Sequence, residues 1–142
     1  MTNKMKSAAI YWLMLLSVHA FAQDAGPLKD LVDRGGKKLD KEQLRQLVTG
    51  ATVNGFQSNA RTYRNLYKAD GTVTGGGVNV VDGGNYNSWQ GTWRIDDDAR
   101  ICIDVLNAFG NRVQGCNPYY LLDGKYFSGS STGVARPLTI ER

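Results

Sequence analysis

"RICIDVLNAFGNRVQGC", Arg100 to Cys116, carries both cysteines of the chain. Ile101, Ile103 and Val105 alternate with Cys102 and Asp104, the period-two pattern of a strand with one face turned to a core. "NAFGN", Asn107 to Asn111, holds the asparagines and glycine of a tight reversal. If the chain turns back about Phe109, residues that face each other sum to 218, as Cys102 and Cys116 do. The two cysteines then lie opposite one another in an antiparallel hairpin, with Cα atoms about 4.5–5.5 Å apart and within reach of a disulfide. Closing that loop stabilises the fold by about 3 kcal/mol on the chain-entropy argument. A redox pair favours C-x-x-C, and a metal site needs more ligands than two thiols. Cys102 and Cys116 therefore read as a structural staple. In this register Asp104, Arg112 and Gln114 share the disulfide's face. Ile101, Ile103, Val105 and Val113 are expected to point to the core.

A staple implies an oxidising compartment, and the N-terminus agrees. "MTNKMKSAAIYWLMLLSVHAFAQDA" sets Lys4 and Lys6 before an apolar run, Ala8 to Val18, and ends on Ala20-Phe21-Ala22. That is the grammar of a cleavable secretory signal, expected over 1–22 and cut after Ala22. About 12 apolar residues are too few to span a bilayer, which takes roughly 20. The expected mature chain is Gln23 to Arg142, 120 of the 142 residues, with no membrane span. Without Lys4 and Lys6 it has 15 basic against 13 acidic residues, so a net charge of +4 becomes +2 and no nucleic-acid partner is implied. The only histidine, His19, goes with the signal. Histidine-activated nucleophiles, histidine general bases and nearly all zinc sites go with it.

Residues 23–38 read as a loose leader, with one helical turn in "PLKDLV" ended by Gly35-Gly36. The single domain is expected over 39–142. It opens with one helix: Asp40 is the N-cap, Gln43 completes a capping box, Leu39 and Leu44 form a hydrophobic staple, and Gly50 ends it. After Gly50 the period changes to two. "ATVNGFQ", "RTYRNLYKA", "TVTGGGVNVV", "SWQGTWRID", the cysteine hairpin, "YYLL", "KYFSG" and "PLTIER" read as strands. Asp70-Gly71 and Asp123-Gly124 mark tight turns, and "DGGNYN", residues 82–87, a loop. The fold class is mainly β: an antiparallel meander forming a small barrel or strongly bent sheet, with the helix plugging one end or covering one face. The strand glycines Gly75 to Gly77 and Gly91 suit the bends this needs. A two-sheet sandwich is the alternative.

"LVTGATVNG", "LYKADGTVTG", "GTWRIDDDARICI", "GC" and "LLDGKYF", spread over Leu44 to Phe127, resemble a family of small exported bacterial β-rich proteins of unknown function. The resemblance implies a periplasmic or secreted β domain and no assigned activity. "SGSSTGVARPLTIER" lies beyond it. G-T-W is also similar to the motif of lipocalin-like barrels, but there it opens the first strand, whereas Trp93 is mid-chain.

Asp96-Asp97-Asp98 and "DGGNYN" could offer oxygens to calcium, but neither has EF-hand spacing, and polar turns are expected instead, with no metal. Gly75 to Gly77 lacks the Lys-Ser/Thr of a phosphate loop. No cofactor motif and no catalytic residue is assigned. The aromatics carry the site expectation. Tyr63, Asn65 and Tyr67 share one face, Trp89 and Trp93 another, and Tyr119, Tyr120, Tyr126 and Phe127 cluster later. Such rings fill a core or line a cavity. Tyr63, Asn65, Tyr67, Trp89 and Trp93 are the candidate ligand-binding set. An inward Asn65 must be hydrogen-bonded there or touch a ligand. The expected function is a non-catalytic binding module of the bacterial cell envelope, an inhibitor or accessory factor, whose partner is a protein, a glycan or a small apolar ligand. The alternatives are a hydrolase of envelope polysaccharide using two aspartates, which needs paired carboxylates in a cleft, and a structural protein that pairs through an open sheet edge.

Overall fold

The computed structural model describes residues 26–58, 61–79 and 85–142. The expected signal segment 1–22, residues 23–25 and Asp82 to Gly84 of the glycine loop lie outside them. In chain order the elements are β1 (Gly26–Pro27), α1 (Leu28–Asp33), β2 (Lys37–Lys38), α2 (Lys41–Val48), β3 (Thr52–Ser58), β4 (Arg61–Tyr67) and β5 (Thr72–Asn79). They continue with β6 (Asn85–Ile95), β7 (Ile101–Asn107), β8 (Arg112–Asn117), β9 (Tyr119–Leu122), β10 (Lys125–Gly129) and β11 (Val134–Glu141).

The strands form one antiparallel sheet in the order β2-β9-β10-β11-β3-β4-β5-β6-β7-β8, with β1 attached to β11. The sheet curls into a half-barrel, the strongly bent form rather than the sandwich. Curling demands close approach of backbones on the concave side, and glycine supplies it. A Cβ at Gly91 would stand 2.1 Å from the Asp104 carbonyl oxygen and 2.7 Å from Val105 Cα on β7, so no larger residue fits that bend. A bulge between Gly77 and Val78 adds twist where β5 meets β6.

The cysteine hairpin forms in the expected register, with Cys102 opposite Cys116 and Val105 opposite Val113. The disulfide closes there, with the Cα atoms 4.0 Å apart. Ile101 and Val105 are buried as expected. Val113 is not: it is 46% exposed, while Cys102, placed on the polar face, is only 5% exposed. The reason is position in the sheet. β8 is the last strand, so Val113 faces an open seam with no further strand beyond it. Cys102 sits between Arg94 and Cys116 and is roofed by the Asp96–Arg100 turn, whose Asp96 Oδ2 lies 3.6 Å from its sulfur.

Helix α2 starts where expected. Asp40 accepts from the Gln43 backbone N–H at 2.8 Å, and the Asp40 N–H donates to the Gln43 side chain at 2.9 Å. This capping box removes two orphan donors. Leu44 and Val48 are fully buried against Val53, Tyr67, Val73, Ile101 and Leu138. Each fully buried side chain of this size contributes about 1.5–3 kcal/mol. These neighbours cluster towards one end of their strands, so α2 plugs that end of the half-barrel. Around it Gly50 N–H donates to the Tyr67 carbonyl at 2.7 Å, and Lys41 pairs with Asp97 at 2.6 Å.

The segment 26–38, read as a loose leader, carries β1, α1 and β2. Alternation explains why it is held. Tyr119 and Leu121 face the concave core, so Tyr120 and Leu122 face outward, joined by Phe127 and Ala135. This outer apolar strip is covered by Leu28 and Leu31 of α1, with Leu31 only 5% exposed.

Candidate functional site

At the end opposite α2 the concave face encloses a cavity of about 340 Å³. Its walls come from β3, β4 and every strand from β6 to β11. β4 turns Tyr63, Asn65 and Tyr67 inward, the face read from their spacing. β6 contributes Trp89, and β9 contributes Tyr119. Ile101, Ile103 and Val105 supply an apolar wall from β7.

A hydrogen-bonded chain runs across the floor. The Trp89 indole Nε1 donates to Asn65 Oδ1 at 2.7 Å, and Asn65 Nδ2 donates to the Tyr67 hydroxyl at 3.2 Å. The Tyr67 hydroxyl is also hydrogen-bonded to Tyr119. Asn65 is 4% exposed, so its inward amide takes the hydrogen-bonded course anticipated for it. The chain crosses over Gly75, where a Cβ would stand 2.1 Å from Asn65 Oδ1 and 2.4 Å from Trp89 Nε1. Gly75 is therefore an opening made for the polar bridge.

Burial pushes the Tyr63, Tyr67 and Tyr119 hydroxyls above the usual phenol range. For Tyr63 the neighbouring Tyr67 adds to the rise, and the positive charge of Arg136 opposes it. These phenols stay neutral near pH 7 and act as donors and acceptors rather than as bases.

Trp93 separates from the other four candidates. Its ring packs edge-on against Tyr67 with centroids 5.4 Å apart, and its Nε1 donates to the Lys68 carbonyl at 2.8 Å. It borders a shallow groove beside Glu42, Arg45 and Gln46 of α2. Trp89 and Trp93 are four residues apart along β6, so they share a face but reach opposite ends of the half-barrel.

Several cavity residues lie outside the candidate set, Tyr119 and Arg136 foremost among them. In sequence Tyr119 clusters with Tyr120, Tyr126 and Phe127, far from the β4 residues it meets here. The strand expected over "PLTIER" begins at Pro137 and so leaves out Arg136, whereas β11 starts at Val134. Proline is tolerated inside this strand because β1 stops pairing at Ala135 and β3 begins only at Leu138, so no partner on that side needs its N–H. The usable signal was Arg136 alternating with Leu138 and Ile140, a cation on an apolar face. Arg136 is the single charged side chain among the described residues of the cavity wall, and no described carboxylate pairs with it.

The carboxylates lie elsewhere. Asp96 accepts from the Arg100 backbone at 2.9 Å and pairs with the Arg100 guanidinium at 2.7 Å, Asp97 pairs with Lys41, and Asp98 reaches Arg100 at 3.5 Å. The triplet is a cation-clamped turn. Asp96, Cys102 and Cys116 are close together, but both sulfurs are committed to the disulfide. Asp104 accepts from Arg112 Nε at 2.7 Å, and this contact holds its carboxyl down at about 2. No Asp or Glu lies among the described cavity residues, so the paired-carboxylate cleft of a hydrolase is not formed there. No family model, curated protein or solved structure matches the chain. The cavity itself thus carries the functional reading.

Proposed function

We propose that this protein is an exported binding module of a bacterial cell envelope that takes a small, largely apolar ligand into the concave face of its half-barrel. The observation that carries the reading is the 340 Å³ cavity walled by Tyr63, Tyr67, Trp89 and Tyr119, with a few convergent polar groups. Ligand sites have this composition and run from about 300 to 1,000 Å³. The disulfide fits an oxidising compartment, and no helix among the described residues is long and apolar enough to cross a membrane. The signal-like N-terminus and the resemblance to exported bacterial proteins support the same location.

The test uses N-phenyl-1-naphthylamine, a neutral fluorophore that brightens in apolar surroundings. One molecule is expected to bind per chain. Gly115→Phe should weaken it, because Gly115 lines the cavity and a Cβ there would meet nothing within 4 Å, leaving the ring to fill the space the probe takes. No binding, or binding indifferent to Gly115→Phe, would count against the cavity as the site.

A further inference from the structure

Resting on that reading, we propose that the ligand carries a single oxyanionic headgroup, a carboxylate or sulfonate, which Arg136 engages while the aromatic wall holds its apolar body. The argument begins with an imbalance. Arg136 projects from β11 on the same face as Leu138 and Ile140, into a wall that holds no described carboxylate. A guanidinium is strongly hydrated only at its edges and always charged, so placing one among rings is costly unless an anion completes its hydrogen bonds. Arg45, Arg64, Arg100 and Arg112 each contact a carboxylate, and Arg142 donates to the Gln46 carbonyl. Arg136 has no such partner among the described residues.

A second donor in the wall points the same way. The Tyr63 hydroxyl leans over Gly55, where a Cβ would stand 2.5 Å from it, and Gly55 pairs with Leu138, the next residue on Arg136's face of β11; that neutral phenol is a donor. Arg136 and Tyr63 therefore both offer donors to this cavity, and a carboxylate has two oxygens to receive them. The rest of the polar floor is occupied with itself, since Trp89, Asn65 and Tyr67 satisfy one another. It asks little of the ligand beyond a flat apolar body.

The experiment compares two probes with the same ring framework. 1-Anilinonaphthalene-8-sulfonate carries one oxyanion; N-phenyl-1-naphthylamine carries none. Arg136→Gln should weaken the sulfonate by about tenfold or more and leave the neutral probe unchanged, while Arg136→Lys should retain part of the sulfonate's affinity. In the unaltered protein, benzoate should displace the sulfonate probe and benzamide should not, which tests the inference even if the variants fail to fold. Equal displacement by benzamide, or equal loss of both probes in a folded Arg136→Gln protein, overturns the anionic headgroup and leaves the cavity reading standing. Failure of both probes to bind overturns the cavity reading and this inference with it.

Discussion

The Trp89 indole N–H donates to Asn65 Oδ1 at 2.7 Å, bridging β6 and β4 across the glycine of the strand between them. This bond joins two residues 24 apart in sequence and forms the floor of the cavity. It also fixes what each neighbour must be.

Asn65→Leu keeps the branched outline and removes both hydrogen bonds, leaving the Trp89 N–H and the Tyr67 hydroxyl short of a partner. The expected loss is about 1–3 kcal/mol in urea unfolding, with a shift in tryptophan emission. Gly75→Ala should cost a similar amount, about 1–3 kcal/mol, because its methyl must displace the bridge and also meets the Arg64 carbonyl at 2.6 Å. Wild-type stability in either variant would remove the bridge from the account of the fold.

Replacing both Cys102 and Cys116 by serine should lower stability by about 3 kcal/mol, because the unfolded chain regains the freedom of the closed loop. Chemical denaturation of the double variant beside the oxidised protein measures it. An unchanged midpoint would mean that the β7–β8 hydrogen bonds alone hold this hairpin.

Asp104 supplies a signed pH dependence. Its folded carboxyl titrates at about 2 because Arg112, then Gln114, hydrogen-bonds it, whereas an unfolded Asp titrates near ~3.9. The charged form is thus favoured by folding. Its contribution is present above about pH 5, shrinks as pH falls through ~4, and is gone below about 2. Carboxylate carbon shifts followed by NMR should place Asp104 near the low end of that window, and Arg112→Gln should move it up. A midpoint near ~4 in the unaltered protein would contradict the pairing.

The phenols run the opposite way at alkaline pH. Burial raises Tyr63, Tyr67 and Tyr119 in the folded state, so folding favours their protonated forms. Stability from this source is full below ~10, the unfolded phenol value, and declines as pH rises beyond it. Absorbance at the phenolate band should show these three ionising only together with unfolding. Reversible titration of all tyrosines in the folded protein near ~10 would refute their placement.

Apolar residues divide sharply by location. Leu44→Ala should cost about 2–5 kcal/mol, since Leu44 is fully buried under the helix that plugs the half-barrel. Phe109→Ser should stay within about 0.5 kcal/mol, because that ring is 74% exposed at the β7–β8 turn. Comparable losses at both positions would show that the hairpin tip is covered in solution.

Much of this was legible in the residues themselves. Local signals are carried by neighbours in sequence. The Asp40–Gln43 capping box, the pairing of Cys102 with Cys116 about Phe109, and the inward face of Tyr63, Asn65 and Tyr67 each follow from spacing within one element or one hairpin. Alternation says which residues share a face. What it leaves open is how far along the strand a residue sits from a cavity, and whether another strand lies beyond. Hence Trp93 parts from Trp89, and Val113 is exposed on an edge strand although its spacing marks it as core. The folding of α1 over Tyr120 and Leu122 was equally hidden, because that outer strip exists only once β9, β10 and β11 are side by side. So was Arg136, whose meaning depends on which side chains curl round to face it. The residues by themselves determined a stapled, bent antiparallel sheet, because period, turns and caps act over a few neighbours. The meeting of Arg136, Tyr63 and Trp89 in one cavity was decided only by the curvature of the assembled sheet, which brings together strands far apart in the chain.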